Sequence, residues 1–251
     1  IIIQAVQAIY AFAIILATLF VISIIQIRHL VPPHETASVT REDMRAWLKI
    51  SLPMMVLIGT QMLLHRADIV MLGFMVDIEN VGAYGFAAKI SQAATIIFMA
   101  GTTIFSPRAA GYFQQTNLSA LRGLYKKMQT LMMVGTIMIC IALYFLYPLL
   151  LHFFDPAYGQ GLMAFNILIA GYCLNATLGP SSYLMVMTRH EMTIMWVTFG
   201  ALFLNVILNL ILIPLYGITG AAIATAISLN LRNGIGYFIF LTDKHLKEAS
   251  R

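Results

Sequence analysis

The sequence predicts an all-α fold: a polytopic membrane helix bundle of about seven transmembrane helices. Three observations carry that prediction. Of 251 residues, 60% are hydrophobic and 10% charged, with a mean hydropathy of +0.85, far from a soluble globular profile. Apolar runs near the ~20 residues needed to cross a bilayer recur along the whole chain. The basic residues concentrate in the gaps between those runs. Helices are the natural choice because a lipid-exposed backbone must satisfy its own hydrogen bonds. A barrel is excluded because the runs lack its strict apolar–polar alternation.

The expected spans are 1–27, 50–76, 79–106, 128–151, 161–187, 192–213 and 218–241. The chain opens at Ile1, already inside an apolar run, and shows neither a basic leader nor a small-residue cleavage pattern, so a signal peptide is not expected. The opening suggests the C-terminal part of a longer protein. Pro32-Pro33 stops the first span, and the mixed charges of "HETASVTREDMRAW" read as a cytoplasmic linker over 28–49. Asp77 and Glu79 mark a very short turn between the second and third spans and read as solvated turn residues. In "NLSALRGLYKKM", Asn117 or Ser119 is placed to cap a helix. Its Leu118, Leu121, Leu124 and Tyr125 share a face largely opposite Arg122, Lys126 and Lys127, which predicts an amphipathic helix lying on the inner leaflet, the alternative being a plain extension of the following span. In "PLYGITG", Pro214 is expected to end a helix, and Gly217 and Gly220 to allow a tight turn. "GAAIATAIS" then offers small residues for close helix contact. Residues 242–251 form a polar tail.

Charge placement gives an orientation. With 28–49 in the cytoplasm and alternating spans, the inner segments are 28–49, 107–127, 188–191 and 242–251, and these carry the loop Lys and Arg residues. The outer loops near 77–78, 152–160 and 214–217 carry none, and hold Asp77 and Asp155. That is the positive-inside pattern, with the C-terminus cytoplasmic. It also accounts for the net charge of +5 and the pI of about 9.3. Cations spread over short membrane-flanking loops, without an aromatic recognition motif, argue against nucleic acid as a partner.

Enzyme and cofactor signatures do not appear. The chain has no P-loop, GxSxG, HExxH or dinucleotide fingerprint, and its six histidines lack metal-ligand spacing. No cofactor or metal is expected. Cys140 and Cys173 sit inside spans without a CxxC and read as small buried apolar residues.

Four ionisable residues lie too deep for the loops to explain: Arg66, Asp68, Lys89 and Arg232. Leaving such a group bare at mid-membrane costs at least ~2.5–3.5 kcal/mol on insertion scales. Asp68 lies about nine residues before the outer turn, hence ~13 Å of helix, and Lys89 about eleven after it. Antiparallel helices bring them to similar depth, so an Asp68–Lys89 ion pair is expected, either fixing helix packing or serving transport. Gln61, His65 and Asp68 share one helix face, whereas Arg66 points elsewhere with Met62, Ile69 and Val70. Either this helix lies between a neighbour and a cavity, or it is broken here. Arg232 shares a face with Ser228 and Gly236, which suggests room for a ligand or close packing. Asn205 with Asn209, and Lys89 with Gln92, make further polar faces. Three deep cations against one deep acid favour an anionic substrate such as a diphosphate, the alternative for Arg66 and Arg232 being pairing with acidic groups in another part of a longer chain.

"RADIVMLGFMVDIENVGAYGFAAKI" and "NVILNLILIPLYGITGAAIATAIS" resemble segments of the second lobe of polysaccharide repeat-unit flippases, within the multidrug/oligosaccharidyl-lipid/polysaccharide exporter superfamily. The resemblance covers residues 40–241. It implies two six-helix lobes around a central cavity that work by alternating access, here in a bacterial inner (plasma) membrane. Residues 1–27 would be the last helix of a truncated N-terminal lobe, 28–49 the inter-lobe linker, and 50–241 the C-terminal transporter lobe. The implied cargo is an undecaprenyl-diphosphate-linked oligosaccharide, flipped for surface polysaccharide (lipopolysaccharide or exopolysaccharide) biosynthesis. By analogy Arg66, Lys89 and Arg232 would hold the diphosphate or sugar, and Asp68 would hold or release a coupling cation. Gln61, His65, Gln92, Asn205 and Asn209 would be polar cavity lining. The alternatives are a multidrug and toxin extrusion type cation-coupled antiporter on the same fold, and a membrane glycosyl- or phosphotransferase.

Overall fold

The computed structural model describes residues 10, 14–26, 40–154, 156–188 and 190–242. Between short turns these residues are helical, and no strand occurs among them. The chain divides into two compact units, Ile1–Trp47 and Leu48–Arg251.

In the first unit, the described stretch of helix α1 (Ile14–Gln26) is apolar. The rest of the expected span 1–27, and linker residues 28–39, lie outside the described residues. From Thr40 the expected linker is helical instead. The Thr40 hydroxyl oxygen accepts from the Asp43 N–H at 3.1 Å, and the Asp43 carboxylate accepts from the Thr40 N–H at 3.0 Å. This reciprocal capping box satisfies two N–H groups that would otherwise lack partners and starts helix α2 (Arg41–Leu64).

The second unit continues with α3 (Ala67–Met75), α4 (Ile78–Gln92), a 3-10 turn Ala93–Thr95 and α5 (Ile96–Gln114). It is completed by α6 (Leu118–Leu151), a 3-10 segment Pro156–Gly161, α7 (Leu162–Thr177), α8 (Ser181–Met187), α9 (Glu191–Tyr216) and α10 (Ile218–Thr242). Among the described residues, five stretches are long and apolar enough to cross a membrane: Arg41–Leu64, Ile78–Gln114, Leu118–Leu151, Pro156–Thr177 and Glu191–Tyr216. The expected number was about seven. The two expected spans not among these five are 1–27, much of which lies outside the described residues, and 218–241. At 25 residues the helix over the latter, α10, is long enough, but Asn230, Arg232 and Asn233 interrupt its apolar run.

Two further expectations are decided. The stretch after Asn117 is not a separate helix but the extension of the following span: α6 runs unbroken for 34 residues. Leu121 and Tyr125 are buried with Phe105, Ala109 and Leu184, which ties the start of α6 to α5 and α8. Asn117 does cap it, its side-chain oxygen accepting from the Ala120 N–H at 3.1 Å. Pro214 does not end α9, which continues to Tyr216, since a proline near a C-terminus removes only one ladder bond.

Lipid tails are as apolar as leucine, so close backbone approach and polar links decide the packing of these helices. Gly217 turns the chain at φ +56, and its N–H reaches the Ile213 carbonyl at 2.8 Å. A Cβ on Gly220 would lie 2.1 Å from the Leu212 carbonyl oxygen, so only glycine lets α10 fold back along α9. Ala221, Ala222 and Ala224 follow, all fully buried. On its other side α10 packs against α7, and α7 against α6.

Candidate functional site

Three helix interruptions converge on one space. The first separates α2 from α3. The Arg66 N–H reaches back only to the Leu63 carbonyl, at 3.0 Å, and the Arg66 carbonyl accepts from Val70 at 3.1 Å to begin α3. Arg66 sits at φ −126, ψ −14, off the helical values. Polar groups on two sides of 50–76 left a break as one of two readings, and the chain does break there. The second interruption is the 3-10 turn Ala93–Thr95 between α4 and α5. The third lies between α7 and α8, where Gly179 adopts φ +62 and Pro180 supplies no N–H. Carbonyls freed at this third break find donors on α6. Gln129 donates to the Thr177 oxygen at 2.8 Å, and the Tyr125 hydroxyl to the Leu178 oxygen at 3.1 Å. Irregular backbone at membrane depth is tolerated where protein buries it or where it lines a cavity.

That cavity has a volume of about 620 Å³. Each interruption contributes to its wall: His65 and Arg66 from the first, Ala94 and Thr95 from the second, Gly179 from the third. Of the residues singled out in the sequence, Gln61, His65, Arg66, Gln92 and Arg232 line it together. Among the described residues, no aspartate or glutamate lines it.

Arg232 is buried at 6% exposure in the middle of α10. Its Nε–H donates to the Thr198 hydroxyl at 2.9 Å, and Thr198 donates onward to the Ile194 carbonyl at 2.7 Å. A longer contact of 3.4 Å runs from its Nη1 to Asn233 Oδ1, which also accepts from Ser182 at 3.0 Å. Among the described residues no carboxylate lies within the 4.0 Å of an ion pair. The small neighbour Gly236 gives the site its room, since a Cβ there would come within 3.3 Å of Ser182 Oγ. A cation held only by neutral acceptors beside a cavity is arranged to receive an anion.

Asp68 lies apart from that wall. It is buried at 4% exposure in the first turn of α3. Its carboxylate accepts from the Tyr84 hydroxyl in a short hydrogen bond, from the Thr225 hydroxyl at 3.2 Å, and from the Ile69 N–H at 2.8 Å. The expected ion pair with Lys89 is not made. Lys89 is exposed and only shares with Asp68 the lining of a small pocket beside the main cavity. The two spaces share His65, Arg66, Gln92 and Tyr172, so Lys89 borders the region without entering the main cavity's wall.

Asn205 and Asn209 do not line this cavity. Both are fully buried in α9, where Asn209 Nδ2 donates to Asn205 Oδ1 at 2.9 Å. The other amide atoms, Asn205 Nδ2 and Asn209 Oδ1, have no protein partner. Cys140 and Cys173 are free thiols, and Cys140 makes a weak 4.0 Å contact to the Ile169 carbonyl across the α6–α7 seam. Among the described residues no group of three or more His, Cys, Asp or Glu side chains is placed to hold a metal ion.

Sequence reasoning missed Tyr84, Thr198, Thr225 and Asn233, the partners of the deep charges. An intramembrane tyrosine or threonine near the level of a buried charge was the available signal, because a buried charge needs donors or acceptors. The Gly179-Pro180 pair, inside a span drawn unbroken over 161–187, was a second.

Known families do not identify this chain. A scan against protein-family models finds no match, and a search of curated proteins finds none either.

Proposed function

We propose that the chain is a transporter lobe that flips an anionic, lipid-linked oligosaccharide across a bacterial inner (plasma) membrane. The cargo is an undecaprenyl-diphosphate-linked repeat unit for surface polysaccharide synthesis. One observation carries this reading: a cavity of about 620 Å³ lined by His65, Arg66 and Arg232 and, among the described residues, by no acidic side chain. A buried Arg232 without a carboxylate partner, with the exposed Arg66 on the same cavity, favours a ligand that brings its own negative charge, and guanidinium groups suit the geometry of a diphosphate. Helix interruptions around the cavity fit a carrier whose binding site is built from discontinuous helices. In this reading Arg232 and Arg66 bind the diphosphate. Lys89 lies along the approach, and a second lobe completes the cavity. The protein performs no covalent chemistry, and the C-terminus is cytoplasmic.

The test is made in the host that carries the gene. Deletion is expected to accumulate undecaprenyl-diphosphate oligosaccharide on the cytoplasmic face. The wild-type gene relieves it and an Arg232→Gln variant does not. A deletion strain with no accumulation would overturn the reading.

One observation favours a second reading, a cation-coupled antiporter of the multidrug and toxin extrusion type. Asp68 is a deep carboxylate held by two hydroxyl groups and makes no ion pair among the described residues. Drug efflux that survives Arg232→Gln and is lost in Asp68→Asn would select that reading.

A further inference from the structure

Guanidinium groups keep their charge at any pH a cell meets, so neither Arg66 nor Arg232 can release an anion by losing a proton. A cavity that must both hold an anion and let it go gains from a contact of adjustable charge. Imidazole is the side chain whose charge ordinarily changes between about pH 5 and 8.

Three histidines fall among the described residues, and His65 differs from the other two. The Nδ1 of His152 lies 2.9 Å from the Pro148 carbonyl oxygen, and that of His190 lies 3.2 Å from the Thr188 hydroxyl. The ring of His65 makes no hydrogen bond among the described residues. His65 is exposed, and it lines the cavity together with Arg66 and Arg232. Both guanidinium groups lie close enough to act on its charge. The α2–α3 break sets this position. The His65 N–H still closes the last turn of α2, 3.1 Å from the Gln61 carbonyl oxygen, and the helical geometry is lost at the next residue. The backbone is thereby anchored while both ring nitrogens are left for a ligand.

The other charged and titratable groups of the two spaces that His65 lines are Arg66 at the break, Asp68 on α3, Tyr84 and Lys89 on α4, Tyr172 on α7, Tyr183 on α8 and Arg232 on α10. Lysine, arginine and tyrosine ordinarily keep one charge state near neutral pH. Asp68 is already engaged by Tyr84, Thr225 and the Ile69 N–H. An anion placed beside an imidazole makes its proton easier to gain, whatever its state in the empty cavity, because opposite charges attract. By linkage, a bound proton strengthens the hold on the anion by the same factor.

We propose that His65 is a third ligand of the diphosphate, protonated when the cargo is bound and neutral when it leaves, so that the cavity takes up a proton together with its anion. The proton comes from solvent and returns to it, and no bond of the cargo changes. This role for His65 rests on the reading of the cargo as an anionic lipid-linked oligosaccharide. It makes His65 the releasable contact and the two arginines the permanent ones.

The experiment uses the full chain in lipid nanodiscs and one probe, undecaprenyl diphosphate bearing one N-acetylated hexose. That probe is a diphosphate diester, whose own charge stays constant across the range in which imidazole titrates, about pH 5.5 to 8. Wild-type affinity is expected to fall about tenfold over that range, as follows when one proton is held about tenfold more tightly in the complex. His65→Gln is expected to bind at both ends of the range within about twofold of the wild type at its upper end. His65→Lys, with a permanent charge, binds throughout about as the wild type does at the lower end. Titration calorimetry in buffers of different ionisation enthalpy reads the proton directly. The wild type takes up part of a proton per probe bound near about pH 6.5, and His65→Gln takes up none. Flat wild-type affinity without proton uptake overturns the role of His65 and leaves the anion site standing. A pH dependence that persists in His65→Gln, or that disappears in Asp68→Asn, assigns the proton elsewhere and also overturns it. The wild-type and Asp68→Asn readings need no His65 variant to fold. Failure of the wild type to bind the probe at any pH overturns the cargo reading and the role of His65 with it.

Discussion

The Nε–H of Arg232 on α10 and the hydroxyl of Thr198 on α9 lie 2.9 Å apart, and this bond aims the guanidinium. Thr198 is itself held by the Ile194 carbonyl, so its oxygen lone pairs are turned toward the arginine. Thr198→Val is expected to leave the charge in place but release its orientation. Transport should fall by about fivefold to tenfold, with the amount of inserted protein unchanged. Quantitative complementation of the deletion strain, normalised to membrane-fraction immunoblots, checks this.

Arg232→Lys is expected to rescue little more than Arg232→Gln. An ammonium is a point charge with no planar fork to span a diphosphate, and it has no Nε–H to offer Thr198. The measurement is the same complementation with both variants side by side. Full activity in Arg232→Lys would show that charge alone is sufficient.

Asp68 and Tyr84 should be energetically coupled, because the phenol donates into a carboxylate that makes no ion pair among the described residues. A double-mutant cycle with Asp68→Asn and Tyr84→Phe, read by thermal unfolding in detergent, is expected to give a coupling of about 1 kcal/mol, within the range of interhelical hydrogen bonds in membranes. Lys89→Ala combined with Asp68→Asn should show none, since those side chains form no ion pair.

Gly220→Ala is expected to abolish accumulation of folded protein. The added methyl would sit 2.1 Å from the Leu212 carbonyl oxygen, and backbone cannot give way as a side chain can. Gly171→Ala should be milder, about 1–3 kcal/mol, because its methyl would meet mainly the Cβ of Ala226 at 2.9 Å. Fluorescence-detected size-exclusion of tagged variants separates the two outcomes.

For the buried amide pair of α9, one substitution should hurt more than two. Asn209→Leu alone removes the bonded partner of Asn205 and leaves the Asn205 amide with no hydrogen bond. Asn205→Leu with Asn209→Leu removes both amides, and is expected to unfold at a higher temperature than the single variant.

The sequence carried the helical class, the membrane habit and the polar group at the α2–α3 break. Those follow from composition and from angular spacing along one helix. It did not carry the choice of partner across helices. Depth arguments bring Asp68 and Lys89 to one level, but azimuth decides contact, and Tyr84 faces the carboxylate where Lys89, five positions further along α4, does not. The same limit applies to Asn205 and Asn209. Their spacing marks one face of α9 but not what that face meets. Cap chemistry was legible and passed over: Thr40 and Asp43 have the spacing of a capping box, inside a segment read as linker.

The three interruptions around the cavity also set where the second unit is compliant. An intact helix resists bending because every tilt stretches a ladder of hydrogen bonds along its length. At Arg66, at Ala93–Thr95 and at Gly179 the regular ladder is already given up, and side chains such as Gln129 and Tyr125 hold some of the freed carbonyls by single, replaceable bonds. Rotation about these points deforms little else, and each one carries or adjoins a residue of the cavity wall. The wall that would grip an anion is thereby also the set of joints about which the half-helices can swing.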